Sequence, residues 1–146
     1  MQTGSIEKEL IIAASPRVEF ADIAVELYSS ASNYRTAERV GRNVLLPISN
    51  YLTDQHVIQL LEKISLNDQI KSASESPDIL VKFFDSTIKH LATTKQAWTD
   101  FIDTLPNDPD DYYSYPKLRE KLVEHNILPA AYPVTTVEIP ATLVDG

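Results

Sequence analysis

An all-α fold of antiparallel helical hairpins, arranged as a short α-solenoid or an orthogonal helical bundle and followed by an extended C-terminal tail, is predicted by three observations on this 146-residue chain. Glycine occurs only at Gly4, Gly41 and Gly146, too seldom for the positive-φ turns that an all-β sandwich needs. Apolar residues recur at i, i+3, i+4 and i+7, the face of an amphipathic helix, in three separate segments. Prolines and capping residues stand between those segments, where helices stop and start. With 43% apolar and 23% charged residues the chain has the composition of one globular domain.

The first apolar template is Phe20, Ile23, Ala24 and Leu27, the second Val57, Leu60, Leu61 and Ile64, and the third Trp98, Phe101, Ile102 and Leu105; they start 37 and then 41 residues apart. Each follows another helix-like segment. Ile6, Leu10 and Ile11 precede the first, which begins after the break at Pro16. Ala37, Val40, Val44, Ile48, Tyr51 and Leu52 form a long stripe before the second, bent where Pro47 removes a backbone donor. Leu80, Phe83, Phe84, Ile88 and Leu91 precede the third. Ser76-Pro77 reads as an N-cap followed by proline at the first helical position, and Thr53 and Thr94 read as N-caps at the two tight interhelical turns. Ser65 to Asp68 cap a short bridging helix through Gln69, Ile70 and Ala73. Pro106 stops the third copy, and a closing helix starts at Tyr115-Pro116, uses Leu118, Leu122 and Val123, and ends near Asn126. Short connections turn successive helices back on one another, giving three αα-hairpins and one further helix over residues 1–126.

A spacing near 40 residues is what helical solenoid repeats show. Residues 33–105, with Pro47 late in a first helix and Asp54-x-x-Val57 opening a second, resemble two HEAT-type helix pairs. That family usually has arginine where this chain has Ile58, and the third copy has no Asp-Val signature. The resemblance implies stacked hairpins that bind other proteins through an extended face.

Residues 127–146 differ in character. Pro129, Pro133 and Pro140 forbid a long helix, while Val134 to Ile139 has β-type composition without a second strand to pair with. Such a tail lies along the helices, hangs free, or adds to another chain's sheet edge.

The absence of cysteine removes disulfides and thiol chemistry and fits a reducing compartment. The N-terminus has neither the basic start nor the apolar core of a signal peptide, and no stretch has the roughly 20 apolar residues of a membrane span, so the expected location is cytoplasmic. A formal net charge of −8 argues against nucleic-acid and anionic-membrane partners and suits a basic protein, although acidity also serves solubility. No Gly-rich phosphate loop, His-Glu-x-x-His helix, Gly-x-Ser-x-Gly elbow or Glu-x-x-His pair is present, so no catalytic residue, metal or cofactor is expected. His56, His90 and His125 fall in a first turn, on a helix flank and near a helix C-terminus, positions with structural explanations. Counted from Asp108, the calcium-loop template needs glycine and glutamate where this chain has Tyr113 and Arg119.

Two surface features remain. Arg35, Arg39 and Arg42, three of the five arginines, are spaced i, i+4, i+7 on one helix face, where guanidinium forks grip carboxylates or phosphates or are neutralised by Glu38 and neighbouring helices. Asp110, Asp111, Tyr112, Tyr113 and Tyr115 cluster in one loop, where tyrosine offers stiff amphipathic contact area or folds back over the last hairpin. The expected function is a non-enzymatic protein–protein interaction module, with those arginines and that loop as contact points and homo-oligomerisation left open. The alternative is a small acidic inhibitor or antidote-type protein that neutralises a basic partner through Asp100, Asp103, Asp108, Asp110 and Asp111. No Lys or Arg lies between Gln96 and Pro116, which favours that alternative.

Overall fold

In the computed structural model, residues 2–129 are described, with side chains from residue 6 onward. They are helical throughout their ordered elements, and no strand occurs among them. The Val134–Ile139 segment lies outside the described residues.

Two layers make up the domain. One contains α2 (Ala21–Ser29), α5 (Asp54–Ile64) and α8 (Leu91–Asp103), with α5 packed between the other two. The other runs from α1 (Gln2–Ala14) to a composite helix, then to α7 (Ser76–Ser86) and α9 (Pro116–Glu124), each against its neighbour. The composite helix is α3 (Tyr34–Val40), a π-helical segment Gly41–Leu45, and α4 (Leu46–Ile48). Short α6 (Asp68–Lys71) links the layers beside α3, α5 and α7. The three copies of the apolar template are therefore one structural layer, each turning its face toward the other layer.

The template is satisfied unevenly. Val57, Leu60, Leu61 and Ile64 are fully buried, and Trp98, Phe101, Ile102 and Leu105 are core residues. Trp98 meets the Phe84 ring edge-on at 5.2 Å and Phe83 at 6.0 Å, geometry that aromatic pairs favour. In α2 the buried face is Ala21, Ala24, Val25 and Tyr28, rotated one residue from the predicted stripe; Ile23 is exposed. Small Ala21 and Ala24 let α2 approach closely, and Tyr28 fills the space. In α1, likewise, Ile12 and Glu9 point inward while Ile6, Leu10 and Ile11 are exposed. Tyr51 and Ile88, predicted on apolar stripes, are exposed in 3₁₀ turns, the first ending the composite helix and the second leading into α8.

Pro47 acts upstream of itself. Its ring would clash with the carbonyl four residues back, and it has no N–H to offer. The helix widens before it, and the Leu46 N–H donates to the Gly41 carbonyl five residues back. At Gly41 the widened turn lies against α2 and α7: a Cβ there would sit 2.9 Å from Ile79 Cδ1 and 3.1 Å from Tyr28 Cε1.

Among the predicted caps, Thr53 behaves as expected. Its hydroxyl accepts from the His56 N–H, and His56 Nδ1 accepts from the Thr53 N–H at 3.1 Å. Asn67 accepts from the N–H groups of Gln69 and Ile70, starting α6, and its amide donates to Ser29 and Ala31 carbonyls, tying together two interhelical turns. Thr94 is not a cap: the 3₁₀ turn Ile88–His90 starts α8 earlier, so Thr94 is buried inside the helix. Ser76 is the first residue of α7 rather than its cap, and its buried hydroxyl lies against the phenols of Tyr28 and Tyr115. The end of α9 is a Schellman motif: Asn126 has φ 63°, Ile127 N–H donates to the Leu122 carbonyl and Asn126 N–H to that of Val123. Ile127 and Leu128 then pack against the core.

Candidate functional site

The three arginines diverge: Arg35 and Arg39 lie on α3, and Arg42 lies in the π-helical segment that follows it. Arg39 turns to α1, where Nε and a terminal nitrogen bond both oxygens of Glu9 at 2.8 and 3.0 Å. Glu9 is only 8% exposed, so this bidentate pair is the means by which a carboxylate is held at the α1 interface. Arg42 turns to α7, bonding Glu75 through Nε and Asp78 at 3.0 Å. The Arg42 hydrogen bond holds the Asp78 carboxyl below its ordinary pKa, with burial opposing it. Glu38 takes no part in either pair; it accepts from Ser74 Oγ and the Glu75 N–H. Arg35 is exposed and stacks over the Tyr34 ring at 5.9 Å.

The tyrosine loop is largely spent on the fold. Tyr115 is fully buried, with φ 59°, its ring edge-on to Phe101 and its hydroxyl donating to the Lys71 carbonyl at 2.9 Å. Burial pushes its phenol, and that of Tyr28, far above the ordinary pKa. Tyr112 is half-exposed and donates to the Ser74 carbonyl at 2.6 Å, with Tyr113 against it at 5.2 Å. Asp111 caps the 3₁₀ turn through the Tyr113 N–H, and Asp108 accepts from the Asp110 N–H. Asp110 is exposed to solvent. The loop thus leaves Asp108, Asp110 and one edge of Tyr112 exposed.

The histidines join helices. His56 Nδ1 accepts from backbone, which places the proton on Nε2, 2.7 Å from Asp22 on α2. His90 Nε2 lies 2.9 Å from the Leu52 carbonyl, and His125 meets the edge of Phe84. No group of three His, Asp or Glu residues placed to hold a metal ion occurs among the described residues, and no helix there is long and apolar enough to cross a membrane.

A surface that the sequence did not single out lies on the α2–α5–α8 layer. A shallow groove of about 170 Å³ runs between α5 and α8, with Ile58 and Ala97 as apolar lining and Thr93, Gln96, Glu62 and Asp100 around them. Asp100 accepts from Gln96 Nε2 at 2.9 Å, and neither Asp100 nor Glu62 has a cationic partner among the described residues. Elsewhere Glu7, Glu38, Asp54, Glu120 and Glu124 also have no cationic partner among the described residues, whereas other carboxylates are paired. Glu9, Asp22, Glu26, Glu75, Asp78 and Asp85 each meet a basic side chain from another element. Asp103, Asp108, Asp110 and Asp111 extend the uncompensated set from α8 into the following loop. The signal available in the sequence was Ile58, an apolar residue off the template face at a position where the HEAT pattern has arginine. Compared with protein-family models, with curated proteins and with solved structures, the chain matches none.

Proposed function

We propose that this domain is a non-enzymatic protein–protein interaction module whose α5–α8 face receives a basic, partly apolar segment of a partner protein. The observation that carries this reading is the groove with Ile58 and Ala97 in its lining and the uncompensated carboxylates of Glu62 and Asp100 beside them. An apolar side chain of the partner loses water in the groove while lysine or arginine on either side meets the two carboxylates, which sets both register and on-rate. The HEAT-type resemblance supports it, since α5 and α8 would be the second helices of consecutive pairs and would share one binding face. Arg35 and the exposed edge of the Tyr112 loop are secondary contact points.

The test is co-purification with the native chain against a Glu62→Lys/Asp100→Lys variant. Loss of the two attractions, each about 1 kcal/mol, together with new like-charge repulsion weakens the partner at least tenfold. Recovery of the same partner at unchanged affinity overturns the reading.

The acidic-inhibitor reading is favoured by one further observation, the run of uncompensated aspartates from Asp100 to Asp111. It requires that the partner be a basic enzyme whose activity falls on stoichiometric addition of this chain, and that the affinity fall steeply with salt.

A further inference from the structure

Helix α1 has two apolar faces, and the fold uses one. Ile12 is buried with Glu9 against the composite helix. Ile6, Leu10, Ala13 and Ala14, at i, i+4, i+7 and i+8, form a second stripe on the outward side, and all four are exposed, Leu10 to 64%. Ile11, 56% exposed, lies beside it, and Val18, 59% exposed, follows in the connection to α2. We propose that the outer face of α1 is a homodimerisation surface, on which a second copy of this chain docks its own α1 in a two-fold symmetric contact.

Three features of the molecule select a second copy as the occupant. The first is area. The exposed side chains of this stripe and its flanks offer on the order of 500 Å² per chain, so a symmetric contact buries roughly 1,000 Å², where specific interfaces begin. The second is charge. A chain of net charge −8 repels its own copy, and the repulsion is weakest where carboxylates are already neutralised. On the first hairpin Glu9 meets Arg39, Glu19 meets Arg17 and Glu26 meets Lys63. That leaves Glu7 and Lys8, one charge of each sign, and Asp22 on α2, which His56 hydrogen-bonds. Two copies therefore meet little repulsion along α1, whereas the several uncompensated aspartates of α8 and the loop after it oppose self-contact on that side. The third is the far end of the stack. There α9 buries Leu118 and Leu122 and exposes Lys117, Glu120 and Glu124, so head-to-tail stacking would set an apolar face on a charged one. Like faces meet only in a closed pair.

The experiment is sedimentation equilibrium of the whole chain over a concentration series reaching about 100 μM, where a contact of this size is populated. Wild type gives twice the chain mass at the upper end, and Leu10→Lys gives the single-chain mass with an unchanged helical circular-dichroism spectrum. Because the chain has no cysteine, Leu10→Cys supplies a second, independent readout. Oxidation links Leu10→Cys into a covalent dimer at least tenfold faster than Leu66→Cys, a control at an 88% exposed leucine away from α1. A single-chain mass for wild type throughout, a dimer that survives Leu10→Lys, or equal crosslinking at the two positions overturns the proposal. None of these outcomes bears on the α5–α8 groove, whose variants keep α1 intact.

Discussion

The two ends of the helix stack are finished differently. At the α9 end every feature closes the structure: Pro116 opens the helix, Tyr115 turns its ring into the core, Leu118 and Leu122 are buried, and a Schellman motif ends the element. The outward face is charged, as the terminal unit of a stacked helical protein requires. At the α1 end, among the described side chains, one isoleucine and one bidentate ion pair hold the helix, and the outward face is apolar. The difference teaches that the repeated template alone does not decide burial. On α5, between two neighbours, and on α8, covered by Phe83, Phe84 and Tyr115, all four template positions are hidden, whereas α2, near the open edge, leaves Ile23 exposed.

The largest expected effect comes from the closed side. Trp98→Ala removes the side chain around which Phe83 and Phe84 pack and costs about 3–5 kcal/mol, read as a loss of thermal stability for the whole domain. Leu122→Ala under α9 costs about 2–4 kcal/mol. If instead either variant melts like wild type, the closed end is not part of the cooperative core.

Next comes the α1 anchor. Arg39→Ala leaves the Glu9 carboxylate in a mostly buried site without its partner; because Arg39 is 44% exposed and water can enter, the expected cost is about 1–2 kcal/mol. Amide exchange in α1 should rise ahead of exchange in α7 and α9. Equal acceleration everywhere would mean that α1 is bound into the same cooperative unit.

Tyr28 and Tyr115 give the closed core a pH dependence. Their folded-state pKa values are raised by burial, so the stability they carry is fully present below the unfolded phenol value, near pH 10. Above it the unfolded chain ionises and stability falls by up to ~1.4 kcal/mol per pH unit for each phenol, until the folded phenols ionise as well. Denaturant titrations between pH 9 and about pH 11 should show this slope, and Tyr115→Phe should reduce it by about half. The smallest effect belongs to the open face: Leu10→Ala, measured at low concentration on the single chain, should change stability by less than about 0.5 kcal/mol. A loss as large as that for Leu122→Ala would show that the face is buried within one chain and would erase the contrast between the ends.

Much of this architecture is readable from the residues. The template at Val57 to Ile64 and at Trp98 to Leu105 identifies the core of α5 and α8, Thr53 and Asn67 mark where helices begin, and Tyr115-Pro116 marks the last one. The candidate surfaces are less legible. Nothing in the spacing of Arg35, Arg39 and Arg42 reveals that the second will pair with Glu9 of α1 and the third with Glu75 and Asp78, because those partners lie far away along the chain. Thr94 has the chemistry of a cap and lies inside a helix, since the 3₁₀ turn at Ile88–His90 starts α8 before it. The Glu62–Asp100 groove joins positions of α5 and α8 that lie off their shared apolar template.

The sequence by itself determined the helical class, the template faces of α5 and α8, and the chain breaks at Pro16, Pro106 and Pro116, because periodicity, propensity and capping are local and act within a few residues. Tertiary structure alone decided which apolar faces are covered and which charges are compensated. Both depend on what lies across an interface: Ile12 and Leu10 are neighbouring isoleucine and leucine positions of one helix, and only the placement of α1 against the composite helix makes one core and the other surface.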